Sequence, residues 1–159
     1  MQKQKIYLET TLFNHYFDED RGLAHTSTVA LFKKIEAGKY EAFTSSYTLD
    51  EIAKAPAEKR DKMVGLLSKY NIFVLTYHSE ADSLADIYVS ENVIPLKYRT
   101  DGLHIAVAAV NNMDMIVSMN LQHIVKPKTK LATGSINSQN GYRAVGIFNP
   151  MELLENENR

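Results

Sequence analysis

The chain has 159 residues, of which 45% are hydrophobic and 23% are charged, and these ordinary globular proportions exclude a fibrous or an intrinsically disordered protein. The formal net charge of −1 excludes a global electrostatic attraction to nucleic acid or to an acidic membrane, although local basic patches remain possible. A chain of this length suits one domain with its own core, and we expect a single domain over residues 1–159.

The sequence also bounds the cellular compartment. It contains no cysteine, which excludes a disulfide framework and a thiolate metal site. The first residues, MQKQKIYLE, lack the apolar run of a secretory signal, and no apolar run approaches the roughly 18 residues that a membrane helix needs. We therefore expect a cytoplasmic protein with no membrane segment.

The first half of the chain alternates short apolar runs with amphipathic segments. Hydroxyl residues able to cap a helix precede the first amphipathic segment, and Gly38 stands where that helix should stop. In chain order, the predicted elements are a strand over 5–9, a helix over 25–40, a strand over 40–46, helices over 47–56 and 57–70, and a strand over 72–76.

The second half continues the same alternation. The alanine-rich segment TDGLHIAVAAVNN predicts a helix that lies close to a sheet, because its side chains are small. The predicted elements are a helix over 79–92 capped by Ser79, a helix over 100–112 opened by Thr100, a strand over 115–118, a loop over 126–141, a strand over 142–148 and a terminal helix starting at Asn149 and Pro150.

Strands that alternate with helices predict an α/β fold with a parallel sheet. Right-handed crossovers place the helices on both faces of such a sheet. Binding sites in these folds form beyond the carboxyl ends of the strands, near the point where the strand order switches. The residues that follow the strands are therefore the first candidates for a functional site.

Several oxygen-bearing side chains fall at these strand ends. Glu9 ends the first strand, Glu51 lies in the helix after the second, and the fourth ends with Ser118 and Asn120. Asp101 joins them if the alanine-rich helix begins at the same edge. Carboxylates that converge repel one another, so a divalent cation is expected between them.

The ligand types indicate which cation this would be. Oxygen ligands without cysteine favour Mg²⁺ or Mn²⁺ over zinc, and Mg²⁺ commonly takes one or two carboxylates while keeping several waters. Such a site is chemically suited to hydrolysing the phosphodiester bonds of RNA or DNA.

Four segments, IYLETT, SSYTLDEI, TDGLHIAVAA and IVSMNLQHI, occur in an order that resembles the PIN-domain family, which includes the VapC ribonuclease toxins of toxin–antitoxin pairs. The resemblance covers nearly the whole chain. It implies a parallel sheet of about five strands between helices, and an acidic quartet that holds Mg²⁺ or Mn²⁺ for cutting single-stranded RNA. It further implies an antitoxin protein as a possible partner and a homodimer.

By position, the resemblance assigns the catalytic and metal-binding roles to Glu9, Glu51, Asp101 and Asn120. Thr10, Thr11 and Ser118 would orient these ligands without binding the ion themselves. Two positions depart from the family pattern, because Glu9 replaces its usual first aspartate and Asn120 replaces its fourth acid. The longer Glu9 side chain shifts the ion, and the loss of charge at Asn120 should weaken a second ion most, so one bound ion is the safer expectation.

Basic residues near the acids suggest how RNA would be held. Phosphate contacts are expected from Lys97, Arg99, Lys126 and Lys128. The alternative for the stretch KPKTK is a solvated loop.

Several candidate residues also have ordinary structural interpretations. Glu9 could cap the next helix, Asn120 could form a turn, and His104 and His123 are interpreted as satisfied structural histidines. The apolar residues after the first strand, Leu12, Phe13, Tyr16 and Phe17, are interpreted as core rather than as a subunit or antitoxin contact.

Two other functional classes remain open alongside the nuclease. One is a PIN-like module with a weakened site that binds RNA or a protein without cutting, which the substitutions at positions 9 and 120 favour. The other is a phosphoacceptor receiver domain, which also places acids at strand ends but usually has paired acids after the first strand, where IYLETT offers one.

Overall fold

Five parallel strands form the centre of the molecule. The computed structural model describes residues 2–157, in which the strands are β1 Gln4–Leu8, β2 Tyr40–Ser45, β3 Phe73–Leu75, β4 Met115–Val117 and β5 Gly146–Phe148. Their order in the sheet is β3-β2-β1-β4-β5, and every neighbouring pair is parallel. The predicted α/β fold with a parallel sheet of about five strands is confirmed.

Helices connect these strands and cover the sheet. They are α1 Thr10–Phe17, α2 Leu23–Glu36, α3 Ser46–Ile52, α4 Ala57–Lys69, α5 Ser79–Ser90, α6 Arg99–Val110, α7 Pro127–Gln139 and α8 Pro150–Glu157, with single 3-10 turns at Glu19–Arg21 and Leu96–Tyr98.

Two hydrophobic cores lie on opposite faces of the sheet. The central strand β1 is buried on both sides, because successive side chains of a strand point to opposite faces. Tyr7 packs in the core formed with α5 and α6, whereas Ile6 and Leu8 pack in the core formed with α1, α2 and α4. Helices therefore cover both faces, as the sequence predicted.

The strand order switches beside the central strand. From β1 the chain builds outward through β2 and β3, and it then crosses to the other side of β1 to form β4 and β5. The crevice between the carboxyl ends of β1 and β4 is thus the expected binding position. This order also differs from the 2-1-3-4-5 order of flavodoxin-like sheets, to which receiver domains belong, so the receiver alternative is excluded.

The predicted loop over 126–141 is wrong, because most of it forms helix α7. Pro127 occupies the first turn, where its missing N–H is not needed. The buried face of α7 is mostly polar: Thr129, Thr133 and Asn137 recur at helical spacing and are 0 to 2% exposed, and they are accompanied by the buried Ile136. The two hydroxyls donate to backbone carbonyls, and Asn137 accepts a hydrogen bond from the Tyr88 hydroxyl. An apolar periodicity was therefore absent from the sequence.

Smaller differences occur at other boundaries. Helix α1 fills the gap left between the first predicted strand and helix, and Leu12 and Phe13 on it are fully buried, which confirms their interpretation as core. Helix α5 is capped by His78 rather than Ser79. Helix α6 begins at Arg99, one residue before the predicted Thr100.

Candidate active site

The predicted site residues lie at the carboxyl edge of the sheet. Glu9 directly follows β1, and Ser118 directly follows β4. Asp101 lies in the first turn of α6, and Glu51 lies near the end of α3, the helix that leaves β2. The fold therefore brings residues from four separate parts of the chain to the crevice at the strand-order switch.

Glu9 is almost fully buried and is fixed by three hydrogen bonds to one of its oxygens. Oε1 accepts from the Thr11 backbone N–H at 3.1 Å, from the Thr11 hydroxyl at 2.5 Å and from the Ser118 hydroxyl at 2.7 Å. The first of these bonds caps α1, so the helix-capping role is present. The bond to Ser118 joins β1 to β4 across the crevice. Because all three bonds are made by Oε1, Oε2 is the oxygen that could face a cation.

Asp101 and Asn120 form the second part of the site. The Asn120 side chain lies beside the Asp101 carboxylate and acts to lower its pKa, while Asn120 Oδ1 accepts from the His123 backbone N–H at 3.0 Å. Asn120 therefore forms the turn and also contacts a site acid. Burial, followed by the negative charge of Glu9, raises the pKa of Asp101 despite the hydrogen bond from Asn120. Glu9 and Asp101 are thus close enough to interact, and burial disfavours the charged form of Asp101.

Glu51 is held by a different set of partners. Its Oε1 accepts from the Thr10 hydroxyl at 2.7 Å and lies 2.5 Å from His104 Nε2. Burial alone would raise the pKa of Glu51, but the hydrogen bond and charge of His104 outweigh it and lower the pKa. Because a carboxylate only accepts hydrogen bonds, His104 Nε2 carries the proton in this contact.

His104 continues this contact into the core. The ring is fully buried, and its Nδ1 is hydrogen-bonded at 2.6 Å to the Tyr7 hydroxyl, which is in turn 2.6 Å from the Ser45 hydroxyl. Burial alone would lower the pKa of His104, but the Tyr7 oxygen and the carboxylates of Glu51 and Glu9 hold it well above its usual value. His104 is the satisfied histidine that we expected, although its partner is a candidate site acid.

The three acids share one region without converging on a single point. Across residues 2–157, no three acidic or histidine side chains form a group able to hold a metal ion. Glu9 and Asp101 influence each other electrostatically, whereas Glu51 is turned to His104. Two carboxylates are nevertheless ligands that Mg²⁺ or Mn²⁺ accepts, whereas the single side-chain oxygen of Asn120 is already engaged by the His123 backbone N–H. A divalent cation at Glu9 and Asp101 would favour the charged form of Asp101 that burial disfavours.

The predicted supporting residues all contact a predicted acid, since Thr11 and Ser118 donate to Glu9 and Thr10 donates to Glu51. The predicted RNA-binding residues differ in their ion pairs and in their exposure. Arg99 is paired with Asp86 at 2.8 Å and with Asp82 at 3.2 Å, and these contacts tie α6 to α5. Lys97 and Lys128 are exposed, and Lys126 is partly buried at the start of α7.

The sequence did not predict the hydrogen-bond partners of Glu51 or the aromatic pair formed by Tyr98 and His123. The only sequence signal for the His104 contact was its position three residues after Asp101, which did not reveal that Tyr7 and Ser45 would complete the chain of hydrogen bonds. The stacking of Tyr98 on His123 was also missed, because these residues are 25 positions apart and belong to no known motif.

These features define a class of protein: an α/β domain with a buried acidic crevice at the switch point of a parallel sheet. No protein-family model matches the sequence, and the comparison with curated proteins finds no match. Within residues 2–157, no helix combines the length and the apolar character needed to cross a membrane.

Solved structures of VapC toxins share this architecture. One is VapBC2 from Rickettsia felis bound to a DNA fragment from their promoter, with a TM-score of 0.55 and 13% identity over 92% of this chain and 98% of that chain. Another is VapC20 of Mycobacterium tuberculosis, described as a toxin that cleaves the sarcin–ricin loop, with a TM-score of 0.56 and 12% identity over 88% of this chain and 98% of that one. The chain therefore has the PIN-like α/β fold of these toxins.

Proposed function

We propose that this protein is a Mg²⁺- or Mn²⁺-dependent endoribonuclease that hydrolyses single-stranded RNA, as the toxin of a toxin–antitoxin pair. The observation that carries the proposal is the pairing of the buried Glu9 with the half-buried Asp101 at the strand-order switch of a PIN-like fold. Two partly desolvated carboxylates at this position are difficult to maintain unless a cation compensates them.

In this proposal, Glu9 and Asp101 hold the ion, and Asn120 orients Asp101. When bound, the ion would activate a water molecule and neutralise charge that develops on the phosphodiester. Ser118 and Thr11 keep Glu9 in position, and Glu51 is held beside them by Thr10 and His104. Because Asn120 lacks a charge, we propose one ion rather than two.

The remaining parts of the proposal concern partners. Lys97, Lys126 and Lys128 would contact RNA phosphates beside the crevice. Arg99 would have to leave its two aspartates to do the same, so its RNA contact is the weakest part of this set. We also propose an antitoxin partner, a homodimer and a cytoplasmic location.

The second candidate is a PIN-like module that binds RNA or a protein without cutting. Two contacts favour it: Glu51 is engaged by His104, and the only oxygen of the Asn120 side chain already accepts a backbone hydrogen bond. Asn120 therefore presents no free ligand atom to an ion in this arrangement, and Glu51 retains only Oε2.

Incubation with metal separates these two candidates. We expect the purified protein to cut a mixture of single-stranded RNAs when Mn²⁺ or Mg²⁺ is added, and to stop when a chelator removes the ion. RNA that is bound but never cut, under both metals, would favour the binding module. Cutting that persists in chelator would contradict the metal-dependent mechanism.

Ser118 offers a test of how the acids are supported. We expect Ser118→Ala to lower the cleavage rate about 10- to 100-fold, because outer partners of metal ligands have effects of that size and Glu9 loses its bond across the crevice. Thr44→Val is the matched control, since the Thr44 hydroxyl is equally buried but donates to the Leu8 carbonyl rather than to an acid. Equal rates for Ser118→Ala and the wild type would show that this bond does not serve catalysis.

A further inference from the structure

An exposed tyrosine lies nearly flat on a buried histidine beside the candidate active site. The ring centroids of Tyr98 and His123 are 4.2 Å apart and their planes differ by 28°. Tyr98 is 38% exposed, whereas His123 is 8% exposed. One face of the Tyr98 ring is therefore fixed by the protein, while part of the ring remains open to solvent.

This aromatic pair is joined to the site acids on both sides. Tyr98 immediately precedes α6 and stands three residues before Asp101, which lies in the first turn of that helix. His123 donates its backbone N–H to Asn120, whose side chain lies beside Asp101 and lowers its pKa. Tyr98 is thus linked to Asp101 both along the chain and through His123 and Asn120.

If position 123 served only to pack against Tyr98, a histidine would be less favourable there than an apolar residue. His123 Nε2 is buried and has no hydrogen-bond partner among the residues that the structure describes. A buried polar atom without a partner is unfavourable, and native proteins contain few of them. An aliphatic side chain would fill the same space without this penalty, but it would not hold Tyr98 as a flat aromatic pair.

The surroundings of Tyr98 combine apolar surface with positive charge. Leu96 is 73% exposed and Leu121 is 50% exposed, and each lies two residues from a member of the pair. Lys97 Nζ lies 5.6 Å from the centroid of the Tyr98 ring. Flat aromatic rings bind bases, and nearby lysines bind phosphates, which is the usual composition of a single-strand binding site.

We propose that Tyr98, held in place by His123, stacks against a nucleobase of the single-stranded RNA adjacent to the phosphate that is cut. This role rests on the function proposed above and describes how the single-stranded RNA substrate is bound. The base would take the place of the Lys97 ammonium at the ring and leave that lysine to contact the phosphate. Positive charge beside the ring favours RNA over a protein partner at this surface.

The test compares RNA with a backbone that lacks bases. Binding of a ten-nucleotide RNA of mixed sequence and of an abasic ten-mer would be measured by fluorescence anisotropy, in chelator so that metal-dependent cutting does not consume the RNA. We expect Tyr98→Ala to weaken binding of the RNA between about 5-fold and about 150-fold, the range typical of one base–aromatic stack, and to leave binding of the abasic ten-mer unchanged.

Three further variants separate base stacking from apolar contact and from phosphate binding. Tyr98→Phe should retain the preference for bases, and Tyr98→Leu should lose it although the apolar volume is kept. Lys128→Ala should weaken both oligonucleotides equally, because a phosphate contact does not distinguish them. Thermal unfolding of each variant would confirm that the fold is intact.

The outcomes separate this inference from the proposed function. Equal losses on the RNA and the abasic ten-mer, no loss with Tyr98→Ala or Tyr98→Leu, or no binding of either oligonucleotide by the wild type would overturn the stacking role. Equal losses on the two oligonucleotides, or no loss with Tyr98→Ala or Tyr98→Leu, would instead favour a protein partner at this surface. A wild type that shows the Tyr98-dependent preference but cuts no RNA with Mn²⁺ or Mg²⁺ would instead support the stacking role and contradict the nuclease.

Discussion

Replacing Asp101 by asparagine is expected to reduce RNA cleavage at least about 100-fold while leaving the protein folded. The carboxylate is proposed to hold the ion that supplies several kcal/mol of charge stabilisation, and each 1.36 kcal/mol corresponds to a tenfold change in rate. The fold should tolerate the change well. Burial raises the pKa of Asp101, so folding disfavours its charged form, and a neutral side chain should unfold at the same temperature or a higher one.

Asp114→Asn is the matched control for this variant. Asp114 is also partly buried, but it lies at the amino end of β4, where it accepts from the Lys5 backbone N–H and pairs with Arg143. Its replacement should leave the cleavage rate within about twofold of the wild type, since surface changes outside a site have small effects. Equal cleavage by Asp101→Asn and the wild type, at equal metal concentration, would remove Asp101 from the catalytic centre.

Replacing His104 by alanine is expected to destabilise the protein by about 3–5 kcal/mol. The fully buried ring leaves a cavity, and both Tyr7 and Glu51 lose a hydrogen-bond partner. For a domain of this size, each kcal/mol lowers the midpoint of thermal unfolding by about 2–4 °C. Denaturant and thermal unfolding both measure the change.

A second substitution separates the cavity from the polar contacts. His104→Leu fills most of the space, so we expect it to recover only the cavity contribution and to stay less stable than the wild type. Combined with Tyr7→Phe, it should lose less stability than the sum of the two single variants, because both remove the same contact. A His104→Leu protein as stable as the wild type would show that the hydrogen bonds from Ser45 to Glu51 do not stabilise the fold.

Most of the fold was predictable because its signals are local. Short apolar runs ending in polar residues defined β1, β2 and β4. Gly38 was predicted to stop a helix, and it follows the end of α2 with a φ of 84°, which glycine adopts readily. Helix α7 was not predictable in this way. Three of its four buried residues are threonine or asparagine, and the bond of Asn137 to Tyr88, 49 positions away, is visible only in three dimensions.

The candidate site was partly predictable for a related reason. Parallel strands align their carboxyl ends, so the neighbourhood of Glu9 and Ser118 followed from topology alone. The direction in which each side chain points did not follow from topology. Glu51 turns to His104 instead of joining Glu9 and Asp101, and this choice depends on a buried tyrosine and serine that no motif marks.

Calorimetric titration with Mn²⁺ tests the central claim most directly, because it measures the ion without requiring an RNA target. We predict one binding site on the wild type, absent in Asp101→Asn and in Glu9→Gln and retained in Asp114→Asn. Wild-type protein that takes up no Mn²⁺, or binding that is unchanged in Asp101→Asn and Glu9→Gln, would contradict a cation held by Glu9 and Asp101.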